Sequence, residues 1–291
     1  MRCALRYDAF VSVRAIAAVM SILVSWSTAE ARAQSASKGE QAPQAAQSSA
    51  SATDDWTGLY LGADVGHVSA TFSGPVTFAA FTSGHETVAA ESVTLGPVSA
   101  GSGAIGVQAG YGVRLAPYLV GAIELQFTRA PAGTVPQLVG TQAPANGLFS
   151  PADTLAVAAG STTSIRVRAG TAMARDVFVY GTVGVAMTSV TTTGIFPAFG
   201  SFPAAGNSLS RTMKGLTIGV GAEYAPFKSP SLRHMTIGAE FRHASLGSQT
   251  FDFGDVAVQS PAPAQPALGT ITVSTNEFDV RVILRFPMKK K

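Results

Sequence analysis

From Asp55 onward, apolar and polar residues alternate with a period of two rather than 3.6. In "AIGVQAGYGVRL" the residues Ile105, Val107, Ala109, Tyr111, Val113 and Leu115 share one face, and in "GLTIGVGAEY" so do Leu216, Ile218, Val220, Ala222 and Tyr224. "MTIGAEF" groups Met235, Ile237, Ala239 and Phe241, while "VFVYGTVGVAM" groups Val177, Val179, Val183, Val185 and Met187. "LVGAIELQF" and "TSIRVRAGTAM" alternate in the same way. With the opening "DWTGLYLGADVGHVSATF" and the closing "NEFDVRVILRF", this gives eight candidate strands of barrel-spanning length.

The connections alternate in length. Short ones, "APY", "ARD" and "APFKSPSLR", follow the second, fourth and sixth strands. The others are expected to be long loops over roughly residues 72–103, 131–162, 189–211 and 252–275. Short turns at one end and long loops at the other are the mark of an up-and-down barrel in an outer membrane.

Charges follow the same parity. Opposite the apolar stripe lie Asp64, Arg114, Glu124, Arg166, Arg168, Glu223, Glu240, Arg242, Glu277, Asp279, Arg281 and Arg285; on the apolar parity lies Arg129. Two architectures separate faces in this way: a soluble barrel with an apolar lumen, and a membrane barrel with an apolar exterior. The polar parity is rich in glycine (Gly62, Gly66, Gly106, Gly110 and others) between long ions of both signs. Small residues beside long ones suit a narrow, filled interior. The expectation is therefore an all-β fold: a closed eight-stranded antiparallel transmembrane β-barrel with short periplasmic turns and long extracellular loops. Its six acidic and six basic lumen residues would pair as a structural network, because an unpaired buried ion is strongly unfavourable. A narrow porin-like diffusion channel is the alternative.

Composition adds the address. Charged residues are only 13% of the chain, about half the share of ordinary soluble domains. Arg2, Arg6 and Arg14 precede the apolar stretch "AIAAVMSILVSW", and "ARA" at Ala31–Ala33 fits a cleavage site, so residues 1–33 read as a secretory signal peptide. The formal charge is +3, of which residues 1–33 contribute +2, leaving +1 with Lys289, Lys290 and Lys291 included. That balance offers nucleic acid no footprint. The one cysteine, Cys3, lies in the signal, so neither a disulfide nor a thiolate site is expected beyond it. Residues 34–54 read as a disordered Ala/Gln/Ser-rich leader, residues 55–286 as the barrel and residues 287–291 as a basic periplasmic tail.

Aromatic residues fall at strand ends: Trp56, Tyr118, Tyr224 and Phe286 towards the short-turn end, and Phe127, Phe241 and Phe278 towards the other. Girdles so placed anchor barrels at lipid headgroups. "WTGLYLGADVG" at Trp56–Gly66 closely resembles the W-T-G-x-Y-x-G-x-x-x-G opening of small alphaproteobacterial outer-membrane barrels, relatives of opacity proteins and of the OmpA-type transmembrane domain. "IRVRAG", "VYGTVGVA", "GVGAEY" and "GAEFRHASLGS" look like that family's strands four to seven, in order. The resemblance implies a Gram-negative outer-membrane barrel with porin-like, structural or antigenic roles. It implies as partners outer-membrane lipids, lipopolysaccharide and the barrel-assembly machinery, with Phe286 as the terminal aromatic assembly signal. A monomer is expected.

Candidate chemistry is sparse. His67 with Ser69, and His243 with Ser245, each place His-x-Ser on one strand face, which is reminiscent of lipid A deacylase barrels. The asparagine that pattern has after the serine is Leu246 here, and Asp252 and Asp255 fall in the following loop. Interfacial polar residues are the plainer reading, and no catalytic residue, metal site or cofactor is expected. The expected role is a non-enzymatic surface barrel that presents its loops.

Overall fold

The computed structural model describes residues 56–83, 86–130, 134–138, 152–174, 176–196, 205–226, 234–256 and 265–286. The expected signal peptide (residues 1–33), leader (34–54) and tail (287–291) lie outside the described residues. Eleven strands make up the fold: β1 (Gly58–Phe78), β2 (Phe81–Ser83), β3 (Glu86–Val88), β4 (Glu91–Ala116), β5 (Leu119–Arg129), β6 (Thr134–Leu138), β7 (Thr154–Ala174), β8 (Val177–Phe196), β9 (Ala205–Tyr224), β10 (Met235–Val256) and β11 (Gln265–Phe286). Eight of them, β1, β4, β5 and β7 to β11, pair antiparallel with their neighbours. The ring closes where β1 meets β11, with Leu59 opposite Phe286. β2 and β3 form a separate hairpin, and β6 continues the wall beyond β5 by pairing with β7.

The strands are much longer than a bilayer needs. A tilted spanning strand takes about 9–11 residues, whereas β4 has 26 and β11 has 22. Most of the segments expected as long loops are these strand extensions: β1 runs to Phe78, β4 begins at Glu91, β7 at Thr154 and β11 at Gln265. Two of the three short connections hold: β4 and β5 are joined through Pro117–Tyr118, and β7 ends at Ala174 with β8 beginning at Val177; most of the third, residues 227–233, lies outside the described residues.

Outside, the lower part of the ring carries a continuous apolar belt, with Leu59, Leu61 and Val65 on β1, Ile105 to Leu115 on β4, and Phe278 to Phe286 on β11 among its exposed residues. The nine residues Phe278–Phe286 reach about 27 Å along the strand, or about 20 Å along the axis at a tilt of about 40°. Above the belt the faces exchange. On β1 the outward residues become Ser69, Thr71, Ser73 and Thr77, and the inward ones Ala70, Phe72, Val76 and Phe78. The extension of β11 from Gln265 to Glu277 rises about 30 Å beyond the belt.

Two local devices produce the exchange. In β1, β8, β9 and β11 the sequence pattern itself inverts. In β4, β7 and β10 apolar residues return above a polar interval on the parity they hold in the belt, and an extra residue turns them inward. The registers shift at these places: Phe72 and Gly74 of β1 face Val98 and Leu95 of β4, Ala159/Thr162 of β7 face Val190/Thr188, and Ser245/Ser248 of β10 face Ser274/Thr272. Each is a β-bulge of one residue, which moves every later side chain to the opposite face. Gly247 occupies the β10 bulge at φ +72°, where a side chain would be strained.

Candidate functional site

The barrel's interior is the place where the sequence concentrates its ions, and it is filled in layers. At the short-turn end the floor is aromatic: Trp56 stacks on Phe178 with ring centroids 5.1 Å apart, and Phe178 on Tyr180 at 5.7 Å. Trp56 is thus buried inside the ring rather than standing in the outer girdle. The other expected girdle residues, Tyr118, Tyr224, Phe286, Phe127, Phe241 and Phe278, are exposed on the outside. Two arginines join floor to ions. Arg168 lies 3.4 Å from the centre of the Tyr180 ring, and Arg285 4.8 Å from that of Trp56, so each stacks on an aromatic face while its nitrogens pair with Glu223.

Above the floor sits a buried ion lattice. Arg166 bridges Glu240 (2.5 Å) and Glu124. Arg281 holds Glu240 at 2.7 Å and Asp279 at 2.9 Å. Arg242 binds Asp279 at 3.0 Å and also Glu277. Two tyrosines cap the carboxylates: Tyr60 donates to Glu124 (2.9 Å) and Tyr180 to Glu240 (3.0 Å). Register explains their fit. Tyr60 lies opposite Gly110 and Tyr180 opposite Gly221, and a Cβ on either glycine would clash with the tyrosine's Cζ and hydroxyl oxygen. Sequence reasoning missed both tyrosines, along with Gln126, although they lie on the charged parity beside the glycines.

Of the twelve charges expected in the lumen, Arg114 does not join: it is exposed at the short-turn end of β4, beside the bulge between Arg114 and Ala116. The other eleven face inward, and the six carboxylates therefore meet five arginines. Asp64 carries the difference. It is 3% exposed and accepts a hydrogen bond from Gln126 Nε2 at 3.0 Å, but no cation pairs with it among the described residues. Asp64, Glu277 and Asp279 approach within 4.8 Å of one another, a carboxylate grouping that could hold a cation; Arg242 and Arg281 already occupy Glu277 and Asp279. Removing a buried charge that makes no direct ion pair and stands beside two other carboxylates, while keeping its hydrogen bond, should not weaken the fold. Asp64→Asn is expected to unfold in urea at the same or a higher concentration, with a gain of up to ~2 kcal/mol. A loss above ~1 kcal/mol would mean that the Asp64 charge is needed.

Over the ions, Thr128, Ser164, Thr188, Thr217 and Thr275 form a hydroxyl layer, with two cavities that each have room for about one water. The next layer is apolar. Phe72, Val76, Leu155, Val190, Met213, Leu246, Phe251 and Ile271 are among twenty buried residues that fill the ring above the belt. On the outer wall, His243 Nδ1 pairs with Asn276 Oδ1 at 2.9 Å, and no carboxylate pairs with His243 among the described residues. Ser245 is exposed beside it.

A closed eight-stranded ring with an exposed apolar belt and a salt-bridged interior agrees with the sequence match, in which residues 44–286 fit the model of the outer membrane protein beta-barrel domain. The chain belongs to the outer-membrane β-barrel family. Such barrels lie in the outer membrane of Gram-negative bacteria, and the belt is the surface that meets lipid. Among solved structures the chain is similar to Ail, the attachment invasion locus protein of Yersinia pestis (12% identity, 79% of this chain and 99% of that one, TM-score 0.37). It is similar also to Neisserial surface protein A (14%, 79% and 98%, 0.38) and to OprG of Pseudomonas aeruginosa (9%, 80% and 97%, 0.43). No curated protein matches its sequence.

Proposed function

We propose that this outer-membrane barrel is a sealed, non-enzymatic surface protein: it crosses the membrane without conducting and carries its loops and outer wall at the cell surface. The supporting observation is the sequence of layers in the lumen. An ion or solute would have to pass an aromatic floor, a lattice of ten buried charged groups with the part-buried Glu277, and then an apolar plug; the two cavities beside the ions and the hydroxyl layer each have room for about one water. Charged rings alone can line a pore, but twenty apolar residues stacked above them exclude a water column. On this reading Phe286, lipid-facing at the seam between β1 and β11, is the residue by which the assembly machinery takes the chain.

Reconstitution of the full chain into planar bilayers tests the proposal. No steady current above the bare bilayer is expected. A stable, ohmic, ion-selective conductance would establish the channel alternative.

A further inference from the structure

Above the lipid belt, the outer wall of the barrel is an array of hydroxyl groups. Three strand pairs carry cross-strand ladders: Thr71 with Ser99 at 2.8 Å on β1 and β4, Thr191 with Ser210 at 3.2 Å and Thr193 with Ser208 at 3.0 Å on β8 and β9, and Thr250 with Thr270 at 2.9 Å on β10 and β11. Charge is nearly absent from this wall. Among the described residues, no carboxylate faces outward between the belt and Asp252 near the top of β10. The outward cations, Arg129 and Lys214, sit at the belt's upper edge, opposite Ile105 and Met187 respectively.

A wall facing only water would be expected to carry ions of both signs, as soluble surfaces do. This one continues directly from the lipid belt on the same strands, so it stands at the height of whatever caps the outer leaflet. The order of chemistries up the barrel is apolar, then cationic, then hydroxyl without carboxylate. The lipopolysaccharide molecule has the matching order of acyl chains, anionic groups and sugars. Each Ser or Thr hydroxyl has one donor and two acceptor sites, so a paired ladder still has capacity to bond sugar hydroxyls. Carboxylates on the wall would repel the acidic inner sugars.

We infer that the hydroxyl wall is a docking surface for the core oligosaccharide of lipopolysaccharide, which sheathes the part of the barrel that stands above the bilayer. The inference rests on the outer-membrane location and not on whether the lumen conducts, so the bilayer experiment and the one below can fail separately.

The test compares the full chain in bilayers of lipopolysaccharide with a complete core and in bilayers of lipopolysaccharide truncated to its lipid anchor. The unfolding midpoint is expected to be about 4 °C higher with the complete core. A variant combining Thr191→Val, Thr193→Val, Ser208→Ala and Ser210→Ala removes one of the three ladders. It is expected to keep its midpoint in truncated lipopolysaccharide and to lose roughly a third of the increase. Equal midpoints for the unaltered protein in the two bilayers would overturn the inference, and that comparison stands even if the variant fails to assemble. An equal rise in truncated bilayers on adding an unrelated soluble polysaccharide would overturn the assignment to the lipopolysaccharide core.

Discussion

Arg281→Met is expected to lower the unfolding free energy of the barrel by about 3–5 kcal/mol. Arg281 is fully buried and pairs with Glu240 and Asp279, with Glu124 a further 3.8 Å contact. Methionine has a similar length and fills the space, so the loss reports charge rather than volume. Glu240 keeps Arg166, and Asp279 keeps Arg242, but the lumen would then hold six carboxylates against four arginines. The excess lies in a buried interior of low dielectric that screens it poorly, which makes the second missing cation costlier than the first. A second substitution, Glu240→Gln, should recover part of the loss, because the two residues share one interaction and their effects do not add. Urea unfolding followed by the fluorescence of Trp56, the sole tryptophan after residue 33, measures both variants. A loss below ~1 kcal/mol for Arg281→Met would mean that the lattice is hydrated and the lumen not filled.

Phe251→Ala is expected to have a similar magnitude, about 3–5 kcal/mol, but at a different place. Phe251 is fully buried in the apolar plug above the belt, with the Arg211 guanidinium 6.0 Å from its ring centre. Its removal leaves a cavity in a region held by ordinary hydrophobic burial from water, not by lipid. The effect should therefore stay local. Amide exchange at Thr270–Val273 of β11 should accelerate, while Val280–Leu284, inside the belt on the same strand, should keep its protection. Uniform acceleration along β11 would show that the two halves unfold as one unit and that the exchange of faces has no energetic meaning.

These two predictions concern two halves that the sequence discloses unequally. Within the belt the rule is apolar residues outward and ions inward, and on β11 Phe278, Val280, Val282, Leu284 and Phe286 alternate with Asp279, Arg281, the buried Ile283 and Arg285. Above the belt the rule reverses, because water replaces lipid outside and the interior must then supply the apolar core. The reversal hides "FSGPVTF" and "QPALGTITVST" as strands, since Ser, Thr, Gly and Pro there read as loop composition. On β7 and β10 a bulge returns the buried apolar residues to the parity that faces lipid lower on the same strand, so parity alone does not mark the change of face.

Strand number, the antiparallel order, the belt and the inward parity of eleven charges were therefore determined by the sequence alone. Period-two alternation and the choice of ions or apolar groups on each face are local properties of a strand. What only the tertiary structure decided depends on register and closure. Bulges on three strands turn the upper apolar phase inward, and the end of β4 puts Arg114 outside the lattice. The pairing of Tyr60 with Gly110 and Tyr180 with Gly221 makes room for the rings that hold the carboxylates. Asp64 is left as the carboxylate without an arginine. Each of these is a relation between paired strands, fixed by their register, and no single strand's pattern contains it.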